Sequence, residues 1–479
     1  MGQKVRYRRK KRMSHLSATP ESETATDFSI CLPAVAEYIR PHRVFWTFLA
    51  FYFLTCGGHY TSGDGFYKVQ WARQLLSGGP YWIDSTTGLP PKYGIGQSLI
   101  AMPVLTSAKL LSRFGLHTEA GLYTLLFVLN GAFLLYLVAC HLKERYDSTR
   151  IWLTVALIGA ATMWWPYTKL DYTEPLITTF FFWAFVLLRN GRQWLGFGVA
   201  GFLLLLRTDS LLLIAILVAW QLWKHPTVLT FSRAAIAIAP FLLVFVTVNM
   251  HRFGGPLDSG YAGETFSTPL VVGLYGILLS AGKSVFLFSP PLILGFISWK
   301  KFYARFCDEA VVLLVVFVSQ LLFYARWWDW SGDDSWGVRF MLTGIVCMTI
   351  PCTEILDRKL LVGALALGIC VQIPAILVNG LEYVVTVHSG AFQRRRLGME
   401  GWNTVDLEDI RFNPRYSQIT ANYAIALNRM GIGSAPTPEA QKARTGTPVI
   451  ETLPDRASAG SFDFWWCRFL PLKPSATAP

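Results

Sequence analysis

The chain has 479 residues, of which 53% are hydrophobic and only 15% charged, with a formal net charge of +13. Soluble domains carry about 25% charged residues, so this balance excludes a disordered chain or a disulfide-stapled domain and speaks against a water-soluble globule. Seven of the positive charges lie within residues 4–12 (Lys4, Arg6, Arg8, Arg9, Lys10, Lys11, Arg12), so the basic excess does not point to a nucleic-acid partner.

Residues 1–43 are polar around that basic run and read as a cytoplasmic, mostly disordered segment. The first apolar block, 44–60, starts far from the N-terminus and lacks a small-residue cleavage site, so it reads as a retained helix rather than a signal peptide. A polar stretch, 61–93, follows and is the expected outer loop. Further apolar blocks fall near 95–112, 119–141, 151–166, 175–189, 194–206, 210–223, 234–250, 270–299, 310–325, 340–356 and 360–378. Many have lengths suited to helices that cross a hydrocarbon layer about 30 Å thick. The eight Cys show no CxxC or Cys/His metal spacing and read as small buried hydrophobes.

Compact basic links at 143–150, 189–192, 224–233, 300–305 and 358–359 are placed in the cytoplasm with the N-terminus. They share one side only if 95–112 and 270–283 lie along the outer interface instead of crossing. The expected fold is therefore all-α and polytopic, with about eleven spanning helices (range roughly ten to thirteen) and outer-face juxtamembrane helices. The transmembrane domain covers 44–378, with an extracytoplasmic polar region at 379–433. Residues 434–479 form a disordered tail whose apolar patch, Phe462 to Leu472, is too short to span and is expected to lie on the membrane. Arg394, Arg395 and Arg396 then fall outside, against the charge rule.

Most remaining ionisable residues point to one side: Asp64 and Asp84, then Lys169, Asp171 and Glu174, then Arg207 and Asp209. Asp258, Tyr261, Glu264 and Lys283 follow, and then Arg326, Asp329, Asp333, Asp334 and Arg339. Charge at membrane depth is costly and commonly marks a functional cavity. Carboxylates there can serve as general base, and Lys or Arg can clamp a phosphate.

Each candidate also has a plainer reading. Asp64, in SGDGF, is a carboxylate exposed by a turn at Gly63 and Gly65 or an ordinary loop acid, with an interfacial helix from Tyr67 to Leu76 after it. Lys92, after Pro90-Pro91, is aimed by the prolines or snorkels. Glu174 is a site acid or a helix N-terminal acid. Arg207 and Asp209 bind a ligand or pair with each other, and Arg339 meets an anionic ligand or Asp333/Asp334. Trp164, Trp165, Trp327, Trp328, Trp330 and Trp336 form an aromatic belt or a platform for sugar or isoprenoid. The soluble nucleotide-sugar pattern of a Rossmann sheet with a DxD site is absent, and Asp333-Asp334 is no convincing substitute.

Taken in order from about residue 44 to 425, several stretches carry a resemblance. They are SGDGFYKVQWARQLLSGGPY, PPKYGIGQSLIAMP, YTEPL, GFLLLLRTDSLLL, NMHRFGGPLDSGY, GLYGILLSAGKSVFLFSPPL and WSGDDSWGVRFML. Together they resemble bacterial GT-C type integral-membrane glycosyltransferases, the superfamily of protein O-mannosyltransferases and aminoarabinose transferases. No single motif is specific; the order and spacing carry the match. The resemblance implies inverting transfer of a sugar from a polyprenyl-phosphate donor to a lipid, glycan or protein acceptor. The reaction would take place on the outer face of the bacterial cytoplasmic membrane. It implies Asp64 as general base or acceptor-orienting acid, and Glu174 as the second acid with Asp171 as rival. Lys92, Arg207, Lys283 and Arg339 match groups that hold the donor phosphate. Some relatives use a divalent cation and others none, so metal and cofactor stay open. Lys283 stands where an Arg is expected, and Asp333-Asp334 where small or polar residues are commoner, which touches the substrate more than the fold. The competing readings are a transporter or flippase of a lipid-linked saccharide, which needs no base, and a non-catalytic membrane protein.

Overall fold

The computed structural model describes residues 40–79, 83, 90, 92–258, 260–261, 263–384, 387, 407–430, 432 and 462–469. The N-terminal segment before residue 40, Asp84, the arginines 394–396 and residues 434–460 lie outside the described residues. Among the described residues the chain is helical, without strands. The helices are α1 (Pro41–Thr55), α2 (Gly63–Leu76), α3 (Gly96–Ser112), α4 (Glu119–Leu142), α5 (Ser148–Ala161), α6 (Trp164–Tyr167), α7 (Glu174–Arg189) and α8 (Gln193–Leu206). They continue with α9 (Leu211–Lys224), α10 (Val228–Phe253), α11 (Leu270–Leu279), α12 (Val285–Phe288), α13 (Pro291–Arg305), α14 (Cys307–Ala325), α15 (Leu342–Thr349) and α16 (Arg358–Leu377). Tight turns at Thr208–Ser210, Arg339–Met341 and Ile350–Glu354, and two later helices, Leu407–Phe412 and Gln418–Arg429, join them.

The apolar blocks mark helix bodies, but polar caps set where helices begin. Thr227 accepts from the Thr230 amide at 3.1 Å and starts α10 six residues before its apolar block at 234. Asp147 caps α5 and Asp357 caps α16 in the same way. Among the described residues four helices are long and apolar enough to cross a membrane: α4, α10, α14 and α16, with 24, 26, 19 and 20 residues. Other expected spans are shorter. At 14 residues each, α5 and α8 reach only about 21 Å. α4 is the central post, with α1, α3 and α7 against it and 67% of its apolar window buried, against 6% for α10. Phe231, Leu243 and Val244 of α10 accordingly face outward, as lipid contacts do.

Charge separates the two ends of the bundle. At one end Glu309 accepts from both terminal nitrogens of Arg145 at 2.6 and 2.5 Å and from Arg189 Nε at 2.9 Å. Lys224 pairs with Asp308 at 2.7 Å, and Arg305 with Glu354 at 3.1 Å. The basic links thus gather on one side, as the loop charges require. α4 runs from there to Glu119, which accepts from the Tyr60 hydroxyl at 2.5 Å at the opposite end. Both ends of α3 lie at this second end: Gln97 donates to the Asp171 carbonyl at 2.9 Å, and Glu119 follows shortly after Ser112. α11 behaves likewise, with the Thr268 amide on Arg326 and Lys283 on Ser335. Both ends of each helix thus lie at one end of the bundle, as expected of helices that do not cross.

The described part of the apolar patch near the C-terminus, 462–469, packs against the ends of α1 and α16. The indoles of Trp465 and Trp466 donate to the carbonyls of Phe53 and Leu54, both at 2.8 Å, satisfying acceptors left over in the last turn of α1. The Trp465 amide reaches Cys56 at 2.9 Å, and the Asp463 amide reaches Leu377 at the end of α16 at 3.0 Å.

Close helix approach depends on Gly295 of α13, where a Cβ would meet the Met348 carbonyl oxygen of α15. Gly295→Ala is expected to cost about 2–3 kcal/mol, as overpacking does. Gly198→Ala, which meets nothing, should be neutral or slightly stabilising. Unfolding in mixed micelles measures both.

Candidate active site

The site assembles at the end opposite the basic links. Ser62 caps α2 by accepting from the Gly65 amide at 2.9 Å, so helix begins at Gly63 and Asp64 sits in its first turn. This corrects the expected turn with a helix starting at Tyr67. Neither Gly63 nor Gly65 has a positive φ. Gly65 is small because a Cβ there would strike the Asp171 carboxylate. Asp171 accepts from Thr61 Oγ1 at 2.7 Å and Ser62 Oγ at 2.5 Å, so this acid clamps the loop before α2.

Asp64, Glu174, Arg207 and Arg339 come together as the sequence pattern groups them. Tyr93 donates to Asp64 Oδ1 at 2.6 Å, and Arg339 Nη1 donates to Asp64 Oδ2 at 3.2 Å. Arg339 Nε lies 3.6 Å from Glu174, an ion pair beyond hydrogen-bond reach. Arg207 Nη1 donates to Glu174 at 2.5 Å, and its other nitrogens grip Asp209 at 3.1 and 2.9 Å. The Tyr324 hydroxyl closes the row on Asp209 at 2.5 Å. Arg339 also stacks on Tyr172, 4.4 Å from the ring centre. Its partners are therefore Asp64 and Glu174, not Asp333 or Asp334.

Two further candidates already have partners. Lys283 is fully buried and donates to the carbonyls of Asp333, Ser335 and Gly337 at 2.7, 2.6 and 3.3 Å. It is a clamp on the Trp-rich loop rather than an open cation for phosphate. Lys92 pairs with Glu264 and lies 4.9 Å over the Tyr261 ring. Trp164, Trp330 and Trp336 belong to the protein interior, which corrects both the belt and the platform readings for them. Trp328 remains 41% exposed and donates to Glu264 at 3.1 Å.

Two cations escaped the sequence reading. Lys68 follows Asp64 by one helical turn and is 2% exposed, with its ammonium 4.8 Å over the Tyr93 ring. The four-residue spacing from Asp64 on a helix was its available signal. Burial lowers its pKa, opposed by Asp64, Glu174 and Asp171. Arg252, in the last turn of α10, stacks on Trp71 at 4.3 Å and Phe253 at 4.6 Å. Its Nη1 donates to the Tyr93 carbonyl at 2.9 Å, while buried Nε and Nη2 find no partner among the described residues. In sequence it is indistinguishable from a basic residue complementing a helix C-terminus. Arg252 lines a narrow cleft with Lys92, Tyr93, Arg207, Asn249 and Tyr261.

Asp64 is held ionised. Burial raises its pKa, but Arg339, Lys68 and the Tyr93 hydrogen bond outweigh this and bring it to about 2. Such a carboxylate orients a hydroxyl well but accepts a proton weakly. Among the described residues no three His, Cys, Asp or Glu side chains converge where a metal ion would sit. Asp64 and Glu174 are joined through Arg339 instead.

No protein-family profile matches the chain, and no curated protein matches it. Its fold is similar to two solved structures of ArnT from Cupriavidus metallidurans, one in the apo state and one bound to undecaprenyl phosphate. In each case the TM-score is 0.47 and the identity 14%, over 81% of this chain and 74% of that chain. A likeness of this size assigns no chemistry to the chain.

Gly65→Ala is expected to cost about 1–3 kcal/mol through its collision with Asp171. Gly63→Ala, with nothing within 4 Å, should change little. The difference between the two unfolding midpoints checks the packing role.

Proposed function

We propose that this protein transfers a sugar from a polyprenyl-phosphate donor to a lipid, glycan or protein acceptor, at the outer face of a bacterial cytoplasmic membrane and with inversion. The observation that carries the reading is the double role of Tyr93. Its carbonyl receives Arg252, which has nitrogens to spare, and its hydroxyl is given to Asp64. One residue thus separates a cationic cleft from an ionised carboxylate. A phosphate in the cleft meets Arg252 and Lys92, with Arg207 at the margin.

The acceptor hydroxyl oxygen forms a bond to the anomeric carbon while the carbon–phosphate oxygen bond breaks. The electron pair leaves with the polyprenyl phosphate, whose charge the cations stabilise. Asp64 orients the hydroxyl and takes its proton as the new bond forms. A donor phosphate that draws Arg339 toward itself weakens the field holding Asp64 near pKa 2, so donor arrival strengthens the base. A flippase needs the cations but not Asp64, which makes that residue the discriminating one.

Asp64→Asn keeps the Tyr93 contact and removes the charge. Transfer from radiolabelled polyprenyl-phosphate sugar should fall by about 100-fold or more, with the protein still folded. Full transfer by this variant would remove the catalytic role. Arg252→Gln is expected to raise the donor KM by about tenfold to 100-fold, the loss of a charge-assisted contact, with a smaller effect on kcat. Initial rates against donor mole fraction in vesicles measure it.

A further inference from the structure

Asp463 is nearly buried, at 9% exposure, and lies far in sequence from every residue it touches. Its carboxylate meets His59 Nε2 at 2.5 Å and Lys169 Nζ at 2.7 Å, while its amide donates to the Leu377 carbonyl at 3.0 Å. Lys169 also donates to the Ile376 carbonyl at 2.9 Å. His59 precedes Asp64 by five residues, and Lys169 precedes Glu174 by five. The two loops that deliver the ladder's acids are therefore cross-linked by one carboxylate from the end of the chain. We infer that residues 462–469 form a strap in which Asp463 is a positioning residue, setting the spacing of Asp64 and Glu174. The inference rests on the reading above for what those acids do, but not for the contacts.

Lys169 is 3% exposed, and an ammonium at that depth requires a counter-charge. The indole hydrogen bonds of Trp465 and Trp466 to α1 keep the strap in place independently of the ion pairs. His59 is the titratable member. It faces Asp463 and Lys169, with Asn379 Nδ2 at 3.5 Å and the Tyr60 carbonyl at 2.8 Å on Nδ1. Burial lowers its pKa, but Asp463 more than offsets this, so the net shift is upward from 6.5. The His59 contribution is thus fully present below the ordinary pKa and is lost as pH rises through the raised one.

The test uses the full chain in nanodiscs, with Asp463→Asn, Asp463→Glu and His59→Gln. In Asp463→Asn, amide hydrogen exchange in 57–66 and 168–173 should quicken about tenfold, the loss of one charge-assisted contact. Exchange in α4 and α15 should stay as in the wild type. kcat should fall about tenfold with the donor KM within about twofold, because orientation and not binding is lost. Asp463→Glu should recover part of both. Protection in 57–66, taken relative to the intrinsic rate at each pH, should fall above neutral pH in the wild type, and His59→Gln should abolish that fall. Unchanged exchange in both loops overturns the strap, as does loosening that spreads to α4 and α15, or faster loops with kcat retained. Should the wild type transfer no polyprenyl-phosphate sugar, the functional reading fails, while loop exchange still decides the strap.

Discussion

Burying charge inside an apolar helix bundle is tolerable only when each carboxylate finds a cation and the remaining donors find acceptors. The row Asp64–Arg339–Glu174–Arg207–Asp209 gives each carboxylate a cation, with only Arg339 Nε left short of a hydrogen bond, and each member comes from a different place: α2, the turn before α15, the start of α7, the end of α8 and the turn before α9. Electrostatics therefore fixes how these elements sit relative to one another. Removing one partner strands the other, at a cost of about 3–5 kcal/mol for a buried pair. Tyr93, Tyr172 and Tyr324 line the row and supply hydroxyls and ring faces.

Charge clusters alone do not distinguish the two ends of the bundle. At the basic end, Glu309 takes three arginine nitrogens, and the cluster works as a lock between basic links. At the opposite end Arg252 keeps two buried nitrogens without partners among the described residues, beside an open cleft. Unpartnered donors occur at both ends, and it is their place beside a cleft that suits Arg252 to an anion.

The helix bodies were legible because apolar runs have to be buried or face lipid, whatever else the chain does. The side of each link followed from its charges, which the pairing of Arg145, Arg189, Lys224 and Arg305 at one end reflects. That Asp64, Glu174, Arg207 and Arg339 belong together followed from their shared side. Their partners did not, because Arg339 meets Asp64 across 275 residues and no local pattern encodes such a pairing. Lys283 and Asp171 carry the residue types of a site yet serve as clamps, a distinction made only by which carbonyls and hydroxyls surround them. Lys68 and Arg252 looked like ordinary helix charges. Gly65 looked like a turn, because a missing Cβ leaves the same mark in sequence whether it frees the backbone or makes room for a neighbour.

α10 shows almost all of its apolar length outward, yet its last turn delivers Arg252 to the cleft. A phosphate carried on a long hydrocarbon chain can reach that arginine while its tail stays in the bilayer alongside the helix. No tunnel through the protein is then needed for the tail. For a lipid-linked donor of the kind proposed, the effective concentration would be a surface density, set by how many carrier lipids share the leaflet rather than by their amount in solution. Occupancy of the cleft would then follow membrane composition and dilution by other lipids, and would be indifferent to the volume of water around the vesicle.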